Sequence, residues 1–165
     1  MKSRSLPGLV LAAVCLSVAP AGAATSTGGD HRMHAHATGS FSITMQPAAA
    51  AQRAGRSSLG RVLLEKVYAG DLVATATGQM LNAVTDTRGA AGYVAMEAVT
   101  GTLQGREGSF VAQHAGTMAD GQQVLSIVIV PHSGTGQLTG ISGTLAIRIV
   151  DGQHFYDIDY SLPEP

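Results

Sequence analysis

The chain has 165 residues, of which 45% are hydrophobic and only 13% are charged. Ten basic residues against eleven acidic ones leave no basic surplus, which argues against nucleic acid or anionic lipid as a partner. A single cysteine excludes an internal disulfide framework. The fold therefore has to rest on a hydrophobic core, for which this length suffices.

The first residues have the features of a secretory signal peptide. Lys2 and Arg4 precede an apolar run at 6–18, and small residues follow up to a predicted cleavage after Ala23. The run is shorter than the ~20 residues that a membrane-spanning helix needs. We therefore expect residues 1–23 to be removed, leaving a periplasmic or secreted protein without a membrane association.

Cleavage would change the composition of the mature chain. It removes the only cysteine and two basic residues, so eight basic against eleven acidic residues leave a formal charge of −3. Residues 24–33 are rich in Gly, Ser, Thr and His and lack apolar periodicity, which predicts a flexible lead-in. One domain is predicted at 34–165, with an exposed Ala-rich loop or helical turn at 48–58.

Most of that domain alternates between apolar and polar residues, with glycine-marked turns between the alternating segments. This period of two is typical of strands in an all-β sandwich or barrel. The predicted strands are at 37–46, 60–68, 72–82, 91–104, 108–118, 122–130, 138–150 and 153–162.

An Asp-Gly pair at 151–152 predicts a two-residue type I′ hairpin, because both central residues of that turn need positive φ. Such a loop places Ile147 opposite Tyr156 and Ile149 opposite His154, on one face of the sheet. This tyrosine and this histidine are therefore expected to face inward.

A second Asp-Gly pair, at 120–121, predicts a hairpin in which His114 lies opposite Ile127 on the apolar face. A third hairpin follows if residues 106–107 form its loop. In that register Glu97 lies opposite Gly116, also faces inward and is a diagonal neighbour of the histidine.

Glycines within the predicted strands predict how the sheet curves. Gly101, Gly116, Gly140 and Gly143 weaken a flat strand, but they permit sharp bending where a sheet closes on itself. An interior of eight strands is either filled with side chains or holds one small ligand. The predicted fold is therefore all-β, a single antiparallel eight-stranded closed barrel.

Five segments carry a resemblance to a bacterial family of unknown function whose members adopt a barrel similar to allene oxide cyclase. They are "MHAHATGSF" (33–41), "GDL" (70–72), "GYVAMEAVTGTLQGREGSFVAQHAGTM" (92–118), "VPHSGTGQLTGISGTLAI" (130–147) and "DGQHFYDIDY" (151–160). The resemblance covers nearly the whole mature chain. It implies the eight-stranded barrel and little about activity, because a fold does not define a function.

Glu97 and His114 are the candidate catalytic pair. A carboxylate beside an imidazole in a dry cavity suits general acid–base chemistry, although the same contact also occurs as a purely structural pair. Lys66 is expected on the inner face, where it would neutralise the carboxylate. The candidate ligand-binding residues are Lys66, Tyr93, His154, Tyr156 and Tyr160, whose side chains suit either a ligand cavity or barrel packing.

Clustered histidines, His31, His34 and His36, have no second carboxylate or cysteine at ligand spacing beyond Asp30, so no metal site is predicted. No G-x-S-x-G, H-E-x-x-H or dinucleotide-binding motif is present, and no cofactor is predicted.

Three functions stay open on the sequence. The first is an exported barrel that binds a small apolar molecule without converting it. The second is an isomerase or cyclase that confines a lipid- or polyketide-like substrate while Glu97, His114 or Tyr156 moves a proton. The third is a structural module with a filled barrel. The sequence leaves a homodimer open as well.

Overall fold

The computed structural model describes residues 31–164, so the predicted signal peptide and most of the predicted lead-in lie outside the described residues. The strands are β1 (Arg32–Pro47), β2 (Gln52–Ala54), β3 (Ser57–Gly70), β4 (Leu72–Thr85), β5 (Ala91–Leu103), β6 (Arg106–Ala119), β7 (Gln122–Ile129), β8 (Ser142–Val150) and β9 (Gln153–Pro163). A 3-10 helix, Gly136–Leu138, lies between β7 and β8. Among residues 31–164, no helix has the length and apolar character to cross a membrane.

Eight of these strands form a closed antiparallel barrel. From β3 to β9 each strand pairs with the next in the chain, β9 pairs with β1, and β1 pairs with β3 to complete the ring. The short β2 is an additional strand that pairs with the start of β3. Closure leaves no open edge on the main strands. The predicted closed, eight-stranded antiparallel barrel is confirmed.

Both Asp-Gly hairpins have the predicted register. Asp151 and Asp120 have φ angles of 50° and 53°, and the glycine after each also has positive φ, as a type I′ turn requires. Ile147 pairs with Tyr156 across the later hairpin, and the earlier one has the predicted pairs as well. Alternation along the chain therefore predicts which residues face inward.

The third hairpin differs from its prediction. Its loop is 104–105, with φ angles of 45° and 82°, and not 106–107. Glu97 therefore lies opposite Ala112 rather than Gly116, a register shift of four residues. Because the side-chain period is two, an even shift keeps every side chain on its face. Glu97 still faces inward.

Two connecting regions also differ from prediction. Residues 48–58 contain the short strand β2 and the start of β3, and no helical turn. The strand predicted at 138–150 begins only at Ser142, because the preceding residues form the 3-10 helix and turn back toward the barrel. There Leu138 and Ile141 are buried in the core and close one end of the barrel.

The interior consists of two unlike halves. We call the half closed by the 3-10 helix the packed end; its buried side chains include Leu72, Leu103, Phe110, Leu138, Ile141, Tyr156, Ile158 and Tyr160. We call the other half, at the two Asp-Gly hairpins, the open end; its side chains include Met45, Met80, Val84, Met118, Leu125, Ile147 and Ile149, around a cavity.

Candidate functional site

The open end contains a cavity of about 330 Å³. Its apolar wall includes Phe41, Leu64, Met80, Leu125 and Ile147, and its polar groups come from Lys66, Asn82, Tyr93, His114, Gln123 and His154. Strands on all sides of the barrel contribute to this wall, so the cavity is a continuation of the barrel interior. The barrel is therefore filled at one end and hollow at the other.

A buried ion cluster lies between the cavity and the packed end. It consists of Lys66 and Tyr68 on β3, Glu97 on β5 and His114 on β6. Lys66 Nζ lies 2.6 Å from Glu97 Oε2, and the Tyr68 hydroxyl donates to Glu97 Oε1 at 2.6 Å. Lys66 also donates to the Tyr68 hydroxyl at 3.3 Å. Both carboxylate oxygens are thus occupied, and Glu97 is only 1% exposed.

Small residues on β4 allow this cluster to form. Lys66 and Glu97 lie on strands that flank β4, about 10 Å apart given the usual strand spacing. The intervening inward positions are Ala76, opposite Lys66, and Gly78, opposite Glu97. Neither residue fills the space above β4, so the two long side chains can meet there. A lysine and a glutamate two strands apart would otherwise be separated by a side chain.

The cluster holds Glu97 in its charged form. Burial by itself would raise the pKa of Glu97, but contacts with His114, Lys66 and Tyr68 outweigh it and lower the pKa from 4.5 to about 2. Burial and the neighbouring negative charge of Glu97 raise the pKa of Tyr68. Such a carboxylate is a weak base, so the arrangement is better suited to structure and electrostatics than to proton abstraction by Glu97.

His114 is the member of the cluster with unused hydrogen-bonding capacity. Its Nε2 lies 2.9 Å from Glu97 Oε2, an ion-pair contact that falls short of a well-formed hydrogen bond, and Nε2 has no other partner among residues 31–164. The residue is only 5% exposed and lines the cavity. A buried polar group in this state costs free energy unless something else satisfies it.

The structure divides the predicted ligand-binding residues into two groups. Lys66, Tyr93 and His154 line the cavity. Tyr156 and Tyr160 are buried at the packed end, where burial raises the pKa of each. Their hydroxyls bond to protein groups there.

Tyr93 lies flat against β6 because position 116 is glycine. A Cβ at Gly116 would lie 2.3 Å from Tyr93 Cε1, which no structure tolerates. This ring narrows the cavity on the side of β5 and β6. Burial of the ring raises the pKa of Tyr93.

Sequence reasoning missed two residues that complete the cluster. Tyr68 supplies the second hydrogen bond to Glu97, and the Phe41 ring lies 4.7 Å from Lys66 Nζ in a cation–π contact. Tyr68 follows Lys66 by two residues, so the strand period places both on one face and could have identified it. Phe41 lies far away in the sequence and only the closure of β1 onto β3 brings it near.

The N-terminal histidines are exposed on the outside of the barrel, away from the cavity. His36 Nδ1 lies 2.7 Å from Asp159 Oδ1, and its Nε2 lies 3.7 Å from Asp157 Oδ1. Within residues 31–164, no three His, Cys, Asp or Glu residues are arranged to hold a metal ion.

Fold and site together define a closed antiparallel β-barrel protein with an ion cluster buried beneath a cavity. Residues 37–160 match the family described as protein of unknown function (DUF3224), and the chain belongs to this family. A solved structure of a DUF3224 protein of unknown function from Shewanella oneidensis MR-1 is 47% identical to this chain, with a TM-score of 0.75. The match covers 81% of this chain and 100% of the other. No curated protein matches the chain.

Proposed function

We propose that the protein is exported and binds a small, largely apolar molecule in the open-end cavity. The carrying observation is the cavity itself, with the buried His114 imidazole at its inner wall. Ligand pockets usually have volumes of roughly 300–1,000 Å³ and apolar walls with a few polar groups. At about 330 Å³, this cavity suits a ligand at the small end of that range.

Charge balance indicates the kind of polar group that such a ligand would carry. Lys66 and Glu97 form an ion pair at 2.6 Å, so their formal charges cancel. A ligand carboxylate would bring a further buried charge without a dedicated partner, which is costly. A neutral oxygen, as in an alcohol or a ketone, would instead offer His114 a hydrogen bond without adding a buried charge. The proposed ligand class is a short neutral alcohol or ketone with an apolar chain or ring.

Binding without conversion is favoured over catalysis by the state of Glu97. Its pKa is lowered to about 2, both its oxygens have partners, and its side chain does not line the cavity. The isomerase or cyclase alternative would need His114 as the proton carrier, since it does line the cavity. The allene-oxide-cyclase-like barrel that the sequence resemblance implies would support that alternative only by analogy of fold.

Methionine methyl groups offer a direct test of binding. Met45, Met80 and Met118 line the cavity, whereas Met96 lies on the outer surface of β5 and Met33 near the packed end. The mature chain with ¹³C-methyl methionine would be titrated with heptanol, heptanone and heptanoate. We expect the alcohol or the ketone to shift the three cavity methyl signals and leave the other two, with heptanoate weakest.

A cavity-filling variant provides the matched control. Ala95→Leu places extra atoms in the cavity and should abolish the shifts, whereas Ala146→Leu, on the exposed outer face of β8, should not. Cavity methyl signals that ignore all three probes would overturn the proposal. Shifts that persist in Ala95→Leu would mean that the probes bind outside the cavity, which would also overturn the proposal.

Conversion is tested separately, by incubating the protein with periplasmic extract and analysing retained and altered small molecules by mass spectrometry. If the protein only binds, the molecules that it retains are chemically unchanged, both for the native protein and for His114→Ala. A product that forms with the native protein and disappears with His114→Ala would replace the binding proposal by the isomerase alternative.

Export rests on residues 1–23, whose pattern of charge, apolar run and small residues is that of a signal peptide. Expression of the full chain in a Gram-negative host, followed by fractionation and N-terminal sequencing, is the test. We expect a mature protein that begins at Ala24 in the periplasm or medium. An intact N-terminus in the cytoplasm would contradict export and leave the binding proposal untouched.

A further inference from the structure

One side of the barrel exterior carries almost no charge. Residues 72–85, 108–119 and 122–129 contain no Asp, Glu, Lys or Arg, and the only charged residue of β5 is the inward-facing Glu97. We call the outward side of β4, β5, β6 and β7 the uncharged face. The exterior of β8 and β9 differs, since Arg148 there forms an exposed ion pair.

Large apolar side chains are exposed on the uncharged face. Val73, Leu81, Val94, Met96 and Val124 are each more than half exposed. Two shallow grooves of about 980 and 1060 Å³ are lined in part by Leu81, Val94, Met96 and Val124. Monomeric soluble proteins rarely expose contiguous apolar patches larger than a few hundred Å². Such a face is typical of a protein–protein interface.

We infer that the uncharged face binds a second copy of this chain in a two-fold symmetric dimer. The charges at its border indicate this partner. Arg61 and Glu65 face outward on β3 along one groove, and neither side chain has an ion-pair or hydrogen-bond partner among residues 31–164. Residues four apart on a strand are about 13 Å apart, too far to pair with each other.

A two-fold axis between two copies would pair these charges. The axis lies in the contact plane, runs across the strands and passes above Leu63, midway between the two charges. Arg61 of one copy then meets Glu65 of the other, and the reverse pair forms at the same time. A face that carries one arginine and one glutamate at equal distances from such an axis is complementary to itself.

Side chains level with Leu63 extend the symmetry across the face. Gln79 on β4, Met96 on β5 and Gln113 on β6 lie in register with it and face outward. On the axis each of these residues meets its own copy. Leu and Met pack against themselves, and a glutamine side chain both donates and accepts, so two glutamines can hydrogen-bond to each other.

The rows on either side of the axis are complementary in size. Level with the arginine, the outward residues are large, Leu81 and Val94; level with the glutamate, they are small, Thr77 and Ala98. The axis places one row on the other, so Leu81 meets Thr77 and Val94 meets Ala98. Each large side chain then faces a small one, as close packing of two surfaces requires.

The available area suits a dimer of moderate stability. A closed barrel curves away from its partner, so only part of the face is in contact and the buried area stays below that of a standard interface. A standard interface buries about 800 Å² per partner. We therefore expect dissociation in the micromolar range, which analytical ultracentrifugation of the mature chain over a concentration series would measure.

Charge reversal tests the axis itself. Arg61→Glu alone and Glu65→Arg alone each bring like charges together twice and should weaken the dimer roughly tenfold or more. An equimolar mixture of the two single variants should recover dimers, because each contact in the mixed pair joins opposite charges. The double variant Arg61→Glu/Glu65→Arg should also dimerise. Arg148→Glu, on the far side of the barrel, serves as the control and should leave dissociation unchanged.

Three results would overturn the inference. These are a native chain that stays monomeric up to millimolar concentration, single variants that dimerise like the native chain, or a mixture of the two that stays monomeric. In the native chain the Met96 methyl signal should also shift with protein concentration, while those of Met45, Met80 and Met118 stay constant. This readout is independent of ligand binding, so its failure leaves the cavity proposal intact.

Discussion

The two ends of the barrel are built from the same strands but differ in how their interiors are filled. At the packed end, Phe110 and Tyr156 fill the interior together with Leu138 and Ile141 from the connection that closes it. At the open end, the inward residues include flexible methionines and small alanines, and a cavity of about 330 Å³ remains. No segment of the described chain closes this end.

Between them lies the buried ion cluster, and its position explains the difference. Lys66 and Tyr68 occupy both carboxylate oxygens of Glu97, and Lys66 and His114 also line the cavity. We conclude that the packed end supplies most of the stability and that the open end is free to serve a ligand. Functional sites commonly lie on such a rigid support.

The largest expected effect comes from truncating one large apolar side chain at each end of the barrel. Phe110→Ala creates a void in the packed end and should cost about 4 kcal/mol of the free energy of unfolding. Leu125→Ala enlarges a cavity that already exists and should cost about 1 kcal/mol. Urea unfolding of both variants measures this. Equal losses would contradict the division into two ends.

Next in size is the effect of breaking the cluster. Glu97→Gln leaves the Lys66 ammonium buried without a counter-charge, which should cost about 3 kcal/mol. The double variant Lys66→Met/Glu97→Leu removes both charges and should recover much of that loss. The control is Arg56→Ala, which breaks the exposed ion pair with Asp86 and should cost less than about 1 kcal/mol. A double variant no better than Glu97→Gln would show that the charges themselves matter little.

The pH dependence of stability sharpens the same point. The pKa of Glu97 is lower in the folded chain than its ordinary value of 4.5, so its contribution is complete above that pH and is lost as pH falls toward about 2. Thermal unfolding between pH 6 and pH 2 should therefore fall more steeply for the native chain than for Lys66→Met/Glu97→Leu. Parallel curves for the two proteins would exclude a depressed pKa at this site.

The smallest expected effect concerns single polar groups at the two ends. The Tyr156 hydroxyl accepts from the Leu72 amide at 2.8 Å and donates to the Ala69 carbonyl at 3.2 Å. Tyr156→Phe should cost about 1.5 kcal/mol, since it leaves a buried amide unpaired. His154→Phe, at the open end, keeps the ring contact with Phe41 and should change stability by less than about 0.5 kcal/mol. Chemical denaturation of both variants checks the difference.

Local sequence predicted the hairpins where the turn residues themselves require one geometry. Asp-Gly at 120–121 and 151–152 predicted two registers correctly, because few other residue pairs accept positive φ twice. At the third hairpin Gln104 takes positive φ ahead of Gly105, a signal weaker than Asp-Gly, and the predicted loop was wrong. The face of Glu97 was nevertheless correct, because the error was an even number of residues.

The sequence by itself determined the all-β alternation, the inward faces and the two Asp-Gly turns, since each depends on residues that are neighbours in the chain. Only the tertiary structure decided that Phe41 packs on Lys66, because that contact requires closure of β1 onto β3, and that small residues on β4 let Lys66 reach Glu97. It also decided that one end is filled and the other hollow. That outcome depends on the total volume of side chains from all eight strands, which no local pattern encodes.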